Sequence, residues 1–181
     1  MGRLFWNLVR SLAGWKINGF DLNSIPKAIV VVAPHTSAWD IIVGFFTRGS
    51  KGFDIKFMGK HTLFKPPFGF LFKWLGGVPV DRTQHSNLVD VIAAYFETNK
   101  VFRIAIAPEG TRQKVDKLKT GFYYMAKKAQ VPIVMVTFDY EHKTVTFSEP
   151  FMPSDDIEKD MAKVWNYFKG VKGFYPELGI A

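Results

Sequence analysis

The sequence predicts an α/β fold with a mainly parallel central sheet flanked by helices. The uninterrupted apolar run at residues 28–33 is typical of a strand that is buried on both faces. Further short apolar segments, which predict strands, alternate with stretches of helical periodicity. Such alternation favours parallel strands joined by helical crossovers, because parallel strands cannot be connected by a tight turn. In sheets of this kind, functional sites form beyond the carboxyl ends of the strands.

Six strands are predicted from the apolar segments. They are residues 28–33, 55–58, 78–80, 101–107, 133–138 and 143–147. An amphipathic helix is predicted over 1–16, because Leu4, Leu8 and Leu12 recur at helical spacing. Its apolar side is suited either to a membrane interface or to ordinary packing on the domain.

Three more helices are predicted further along the chain. Apolar residues at helical spacing predict one helix over 84–98 and another that includes 122–129. A last helix is expected to begin near Ser154. Thr120 and Ser154 have the short polar side chains that favour N-cap positions, and we expect them to cap the second and third of these helices.

The composition restricts the class of protein. At 181 residues the chain is long enough to bury one core, and we expect a single domain over 1–181. A hydrophobic content of 48% excludes a disordered tail, and the absence of cysteine excludes disulfide scaffolds, thiolate zinc sites and a cysteine nucleophile. The net charge of +8 indicates anionic partners, which include phosphates, acidic membrane surfaces, acidic carrier proteins and nucleic acid.

No membrane-spanning helix is expected. The longest stretch without a charged residue, 28–39, contains Pro34 and His35 and is shorter than the roughly 20 apolar residues that a span needs. The apolar stretch near the N-terminus is interrupted by Asn7 and closed by Arg10, so a signal peptide is not expected. We therefore expect a cytoplasmic location, with membrane contact only at the surface.

The clearest candidate for chemistry is His35, which follows the predicted strand 28–33, with Asp40 five residues later at the start of a helix. A carboxylate beside a histidine fixes its tautomer and stabilises its charged form, as a general base requires. The spacing alone leaves open whether His35 is catalytic or a structural loop histidine. His85 and Asp90 have the same spacing, but within a helix their side chains diverge by about 140°, which favours a solvent-exposed helix face.

A second group of candidates follows the predicted strand 101–107. Gly110 allows the backbone to approach a ligand closely, and Arg112 can hold a phosphate through two parallel hydrogen bonds. Glu109 could brace Arg112 or bind a substrate hydroxyl. Arg82 follows the preceding predicted strand and adds another cation.

Four segments of this chain, in this order, resemble the motifs of the glycerolipid acyltransferase family, which contains the 1-acylglycerol-3-phosphate acyltransferases. They are His-x4-Asp beginning at His35, a glycine-rich strand ending in Arg82, Pro-Glu-Gly-Thr-Arg at 108–112, and Val-Pro-Ile-Val at 131–134. The resemblance extends over residues 28–138, which is most of the chain.

The resemblance implies a glycerol-phosphate-acyltransferase-like fold and a defined reaction. A fatty acyl group would pass from acyl-CoA or acyl carrier protein to the hydroxyl of a lysophospholipid, with 1-acylglycerol 3-phosphate, which gives phosphatidic acid, as the leading candidate. His35 would act as the general base, and Asp40 would orient it. The family's motifs further imply that the acceptor is bound by Lys60, Arg82, Glu109, Gly110, Thr111 and Arg112. No metal and no cofactor other than the acyl donor is implied.

Three alternative functions stay open. The acceptor could be a different lysolipid, such as a lyso-aminolipid, or water could replace it, which would make the protein a thioesterase. No Gly-x-Ser-x-Gly segment supports a serine hydrolase. Nucleic-acid binding is suggested only by the net charge, and no nucleic-acid-binding signature supports it.

Two segments have alternative interpretations. Residues 61–74 are rich in aromatic side chains and bounded by lysines, and these side chains belong either to the core or to a bilayer interface or acyl-chain site. The cations Arg112, Lys114, Lys117 and Lys119 form either a solvated loop or a surface for a phosphorylated donor or an acidic carrier protein. Since a lysolipid acceptor arrives from a membrane, we expect peripheral attachment to the inner face of the membrane.

Overall fold

The structure is a computed structural model that describes residues 2–67, 69–80 and 85–180. The strands are β1 (Lys16–Gly19), β2 (Lys27–Ala33), β3 (Lys56–Lys60), β4 (Gly77–Val80), β5 (Phe102–Ile106), β6 (Ile133–Asp139) and β7 (Thr144–Phe147). The helices are α1 (Arg3–Leu12), α2 (Trp39–Lys51), α3 (Gly69–Trp74), α4 (His85–Thr98), α5 (Gly121–Ala129) and α6 (Ile157–Phe168). Short 3-10 turns cover Leu22–Ser24, His61–Phe64 and Pro176–Leu178.

The described strands form one sheet in the order β1-β7-β6-β2-β5-β3-β4. The five strands from β6 to β4 are all parallel to one another. β7 runs antiparallel to β6, and β1 pairs with β7 in parallel at the edge. The predicted α/β fold with a mainly parallel sheet is therefore confirmed.

The core lies on both faces of β2. Ile29 and Val31 point into a cluster that includes Phe122 of α5, whereas Val30 points into a second cluster that includes Phe46 of α2. This alternation follows from the two-residue period of a strand. All three β2 residues are at most 1% exposed, and full burial of such a side chain contributes roughly 1.5–3 kcal/mol. β2 is thereby fixed from above and below, which makes its carboxyl end a rigid place for a site.

The predicted strands are all confirmed, with ends that differ by at most two residues. The strand β1 was not predicted, because residues 16–19 are few and weakly apolar and because they form their pairs with β7 at the other end of the chain. This pairing also shortens the predicted helix over 1–16, since Gly14 adopts a left-handed φ of +75° and turns the chain from α1 into β1.

Two predicted helix caps are wrong. Thr120 precedes α5, but its side chain makes no capping hydrogen bond. α6 is capped by Asp156, whose carboxylate accepts from the backbone amide of Lys159 at 3.0 Å. Ser154 instead donates its backbone amide and hydroxyl to Asp160, at 2.6 and 2.9 Å. Asp156, two residues closer to the helix, thus takes the capping position, and Ser154 donates hydrogen bonds to the buried Asp160.

Helix α1 packs with its polar and aromatic side toward the domain. Arg3 Nη2 donates to the carbonyl of Lys51 at 2.6 Å, and the ring of Trp6 lies where a side chain on Gly49 would stand. The opposite side carries Leu4, Phe5, Leu8 and Leu12, all of which are exposed. Among the helices in the described ranges, none is long and apolar enough to cross a membrane.

Candidate active site

The turn between β2 and α2 brings His35 and Asp40 together. β2 ends at Ala33 and α2 begins at Trp39, so Asp40 lies in the first turn of the helix. His35 Nδ1 lies 2.9 Å from Asp40 Oδ2. The Asp40 side chain is 2% exposed and the His35 side chain 26%. The carboxylate is therefore removed from water while the imidazole stays accessible.

Asp40 is held by three hydrogen-bond donors. Besides His35, Oδ2 accepts from the backbone amide of Ser37 at 3.0 Å, and Oδ1 accepts from the hydroxyl of Tyr140 at 2.7 Å. Because an ionised carboxylate only accepts hydrogen bonds, the network assigns the imidazole proton to Nδ1 and leaves Nε2 as an acceptor. This is the tautomer that a histidine base requires.

Glu109 supports the same turn from the neighbouring strand. It lies just beyond β5, which pairs with β2, and its Oε1 and Oε2 accept from the backbone amide of His35 at 2.9 and 3.1 Å. Burial raises the pKa of Glu109 to about 6, although the hydrogen bond from His35 opposes this shift. The hypothesis that Glu109 braces Arg112 is wrong, since the described structure contains no ion pair between them and the carboxylate faces the His35 turn instead.

The rest of the predicted acceptor-binding turn is open to solvent. Gly110 has a left-handed φ of +67°, a conformation that favours glycine, and the side chain of Lys119 lies against it. Thr111 is exposed and accepts a hydrogen bond from the amide of Gln113 at 3.3 Å. Arg112 is exposed, and its guanidinium has no partner among the described residues. Cations on this turn are thus available to an anionic ligand.

Two predicted acceptor-binding residues have no described side-chain position. Lys60 is the last residue of β3, and its backbone lies at the carboxyl end of that strand, but its side chain is outside the described part. Arg82 lies wholly outside the described residues. Asp90 is exposed and pairs with the ammonium of Lys128, in agreement with a solvent-exposed helix face, whereas the side chain of His85 is not described.

Tyr140 was not identified from the sequence. It follows β6, which pairs with β2 on the side opposite to β5, so three adjacent parallel strands each contribute one residue to the Asp40 and His35 network. The rule that sites form at carboxyl ends could have pointed to Tyr140. The contact from the C-terminal segment carries no sequence signal: the amide of Tyr175 donates to Thr36 Oγ1 at 3.1 Å.

One group in the described part of the chain brings three potential metal ligands within 4.8 Å of one another, namely Asp139, Glu141 and His142. His142 Nδ1 lies 2.8 Å from Asp139 Oδ2, and the amide of His142 donates to Asp139 Oδ1 at 3.2 Å. These bonds account for the group as the turn that joins β6 to β7, with Glu141 and His142 exposed. The hydrogen bond to Asp139 raises the pKa of His142.

Comparison with known proteins decides the family. The sequence model of the Acyltransferase family matches residues 17–139, a range that contains both the His35–Asp40 turn and the Glu109 turn. The chain belongs to the acyltransferase family. The segment that defines the family therefore lies on the strands that assemble the site.

Curated relatives of this chain include two with 30% identity. One is the 1-acyl-sn-glycerol-3-phosphate acyltransferase of Streptococcus pneumoniae, aligned over 75% of this chain and 54% of the relative. The other is 1-acyl-sn-glycerol-3-phosphate acyltransferase beta of Homo sapiens, aligned over 76% of this chain and 54% of the relative. The chain thus spans about half the length of the curated relatives it matches.

A solved structure shares the fold of this chain. The 1-acyl-sn-glycerophosphate (LPA) acyltransferase PlsC from Thermotoga maritima superposes with a TM-score of 0.60 at 20% identity. The alignment covers 91% of this chain and 74% of the other. The architecture described above is therefore that of a known acyltransferase structure.

Proposed function

We propose that this acyltransferase moves a fatty acyl group from a thioester to the hydroxyl of a lysophospholipid, with 1-acylglycerol 3-phosphate as acceptor and phosphatidic acid as product. The observation that carries the proposal is the contact of 2.9 Å between His35 Nδ1 and a carboxylate that is 2% exposed. The names of the two curated relatives support the choice of acceptor.

The reaction follows from the tautomer of His35. Nε2 takes the proton of the acceptor hydroxyl as its oxygen attacks the thioester carbonyl carbon, and Asp40 stabilises the imidazolium that forms. The tetrahedral intermediate then loses the thiolate, which receives the proton from Nε2, so the imidazole is neutral again. A thioester is already activated, so this scheme needs no metal, no cofactor and no acyl-enzyme.

The developing oxyanion requires hydrogen-bond donors. In the His35 turn, the amides of His35 and Ser37 already donate to Glu109 and Asp40, respectively. The amides of Thr36 and Ala38 have no acceptor among the described residues. These two amides are the oxyanion donors in this scheme.

The acceptor phosphate binds to the turn after β5. Arg112 lacks a partner in the described structure, and its planar fork suits two parallel hydrogen bonds to a phosphate. Lys119 lies against Gly110 and adds a second positive charge. Lys60 and Arg82 supply further cations to the same headgroup, with Thr111 at the rim of the site.

The acyl donor is acyl-CoA or acyl carrier protein. Lys114 and Lys117 are exposed in the segment that follows Arg112. Both donors carry phosphate, and a carrier protein adds an acidic surface, so a basic segment beside the site increases the local concentration of either donor.

Attachment to the inner face of the membrane uses exposed apolar residues. On α1, Leu4 is 87% and Leu12 80% exposed, and the polar side of that helix is already engaged with the domain. On α3, Phe70 is 74% and Trp74 65% exposed. Large exposed aromatic and aliphatic side chains on short helices are suited to the interface of a bilayer. Phe72 instead packs on Phe64, with 6.1 Å between ring centroids.

The function is tested with the purified chain, lysolipid acceptors and both donor classes, with products identified by mass spectrometry. The acceptor panel contains 1-acylglycerol 3-phosphate, its dephosphorylated form and a lyso-aminolipid. We expect phosphatidic acid as the main product and its loss in His35→Ala, because general-base catalysis contributes roughly 10²–10⁴-fold. The matched control is His142→Ala, which removes an equally close histidine–aspartate contact at the surface.

Each alternative has its own product pattern. Free fatty acid without acylated lipid would identify a thioesterase, and acylation of the lyso-aminolipid alone would reassign the acceptor. Transfer that persists in His35→Ala at the rate of His142→Ala would refute the assignment of the base. Liposome flotation of the full chain and of Leu8→Glu tests the attachment, since undiminished binding of the variant would exclude α1 as the attachment site.

A further inference from the structure

Tyr140 contacts the carboxylate oxygen that His35 does not use. Its hydroxyl donates to Asp40 Oδ1 at 2.7 Å, whereas Oδ2 accepts from His35 Nδ1 at 2.9 Å and from the amide of Ser37 at 3.0 Å. The two oxygens of Asp40 thus have different partners from different elements. Rotation of the carboxylate about its Cβ–Cγ bond would break all three hydrogen bonds at once.

The ring of Tyr140 is itself fixed. It makes edge-to-face contacts with Trp15 and Phe174, with 4.9 and 5.5 Å between ring centroids. Its backbone amide donates to the carbonyl of Lys172 at 2.9 Å. The phenol therefore reaches Asp40 from a scaffold built by β6, the segment before β1 and the C-terminal segment, none of which belongs to the His35 turn.

The phenol is a permanent donor. Burial raises the pKa of Tyr140 far above its usual value, and the hydrogen bond to Asp40 raises it further, because ionisation would place a second negative charge beside the carboxylate. Tyr140 therefore carries its proton at neutral pH. This excludes the phenol as a base and leaves hydrogen-bond donation as its role.

We propose that Tyr140 is a positioning residue for acyl transfer, which acts through Asp40 by anchoring Oδ1 so that Oδ2 stays directed at His35 Nδ1. The inference rests on the proposed function, since it gives Tyr140 a role only if His35 is the base. Without the phenol, the carboxylate keeps the partners of Oδ2 but loses the anchor that defines its rotation, and fewer molecules hold His35 in the reactive tautomer and orientation.

The test compares Tyr140→Phe with Tyr167→Phe in acyl transfer from a saturating acyl donor to 1-acylglycerol 3-phosphate. Both changes remove one half-buried hydroxyl and keep the ring, but the hydroxyl of Tyr167 donates only to the carbonyl of Thr146, at 3.4 Å. We expect Tyr140→Phe to lower kcat about tenfold, the loss typical of one hydrogen bond to a charged group, with KM for 1-acylglycerol 3-phosphate unchanged. Tyr167→Phe should retain the wild-type kcat.

A double-mutant cycle with Asp40→Asn shows whether Tyr140 acts through Asp40. We expect Tyr140→Phe to have no further effect on the residual kcat of Asp40→Asn. Additive losses in kcat would overturn the inference, and so would a Tyr140→Phe enzyme with wild-type kcat or with a change confined to KM. The NMR signal of the His35 Nδ1 proton, which reports the bond to Asp40, should broaden in Tyr140→Phe and stay sharp in Tyr167→Phe; a signal unchanged in both would contradict the anchoring role.

The outcome for His35→Ala separates this inference from the proposed function. If His35→Ala abolishes transfer while Tyr140→Phe behaves as wild type, only the positioning role is wrong. If His35→Ala retains transfer, the general-base assignment fails and the role of Tyr140 fails with it.

Discussion

The described part of the chain contains two histidine–aspartate pairs with nearly equal contact distances and very different surroundings. In the His35–Asp40 pair the nitrogen–oxygen distance is 2.9 Å, and in the His142–Asp139 pair it is 2.8 Å. The side chains of the first pair are 26% and 2% exposed, and those of the second are 69% and 24% exposed. A distance criterion alone would not distinguish them.

The difference lies in what surrounds each carboxylate. Asp40 has three donors and a side chain that is only 2% exposed, so its charge is directed at the imidazole. Asp139 accepts two hydrogen bonds from His142 within one exposed turn, where water and salt weaken the interaction between charges. In the proposed mechanism His35 differs from His142 because its aspartate is buried, has three donors and lies in the first turn of α2, directly after the turn that leaves β2.

The largest expected effect comes from exchanging each aspartate for asparagine. Asp40→Asn should lower kcat roughly 100-fold or more, because the amide can donate to Nδ1 and favours the wrong tautomer of His35. Asp139→Asn, which makes the same change in the surface pair, should leave kcat at the wild-type value. Steady-state kinetics of both variants checks this, and equal losses would show that the surroundings of the two pairs do not set their roles.

The buried Glu109 and the exposed Glu141 should differ in their effect on the free energy of unfolding. Its pKa is about 6 in the folded protein and 4.5 for an unburied glutamate, so ionisation favours the unfolded chain. The stabilisation from its proton is present below pH 4.5 and is lost as the pH rises through 6. Glu109→Gln should therefore be more stable than wild type by about 2 kcal/mol at pH 7.5, at 1.36 kcal/mol per pKa unit, and equal to it at pH 4.5.

Urea unfolding at both pH values measures this difference. The control is Glu141→Gln, next to the surface pair, where the exposed carboxylate should give no comparable gain. A Glu109→Gln protein that is less stable than wild type at pH 7.5 would mean that the two contacts with the amide of His35 outweigh the cost of burial.

The smallest expected effect concerns binding to the open turn after β5. Arg112→Ala should raise KM for 1-acylglycerol 3-phosphate about tenfold with little change in kcat, because Arg112 holds the phosphate and not the reacting atoms. Lys100→Ala, which removes an exposed cation from the segment before β5, at the end of the strand opposite to Arg112, should leave KM unchanged. A change in kcat with no change in KM in Arg112→Ala would contradict the role of Arg112 in acceptor binding.

The sequence was sufficient to predict features that depend on residues close together in the chain. Residues 28–33 gave a buried strand and the His35–Asp40 spacing gave a contact across one turn, because both depend on neighbouring residues. The contacts that hold His35 and Asp40 from neighbouring strands were not predictable in the same way. Tyr140 is 100 residues from Asp40, and Glu109 is 74 residues from His35. Their contacts depend on the order of β6, β2 and β5 in the sheet, which no single segment encodes.

Helix α2 connects the turn that carries Asp40 with the surface on which α1 packs. Its first turn carries Asp40, and its last turns carry Gly49 and Lys51, on which α1 is seated through Trp6 and Arg3. At 1.5 Å per residue, α2 separates Asp40 from Gly49 by roughly 14 Å. The helix therefore fixes the distance between the His35–Asp40 turn and the surface on which α1 packs. Deletion of a single residue between Asp40 and Gly49 would rotate that surface by about 100° around the helix axis. The number of residues in α2 is therefore constrained by Asp40 at one end and by the packing of α1 at the other.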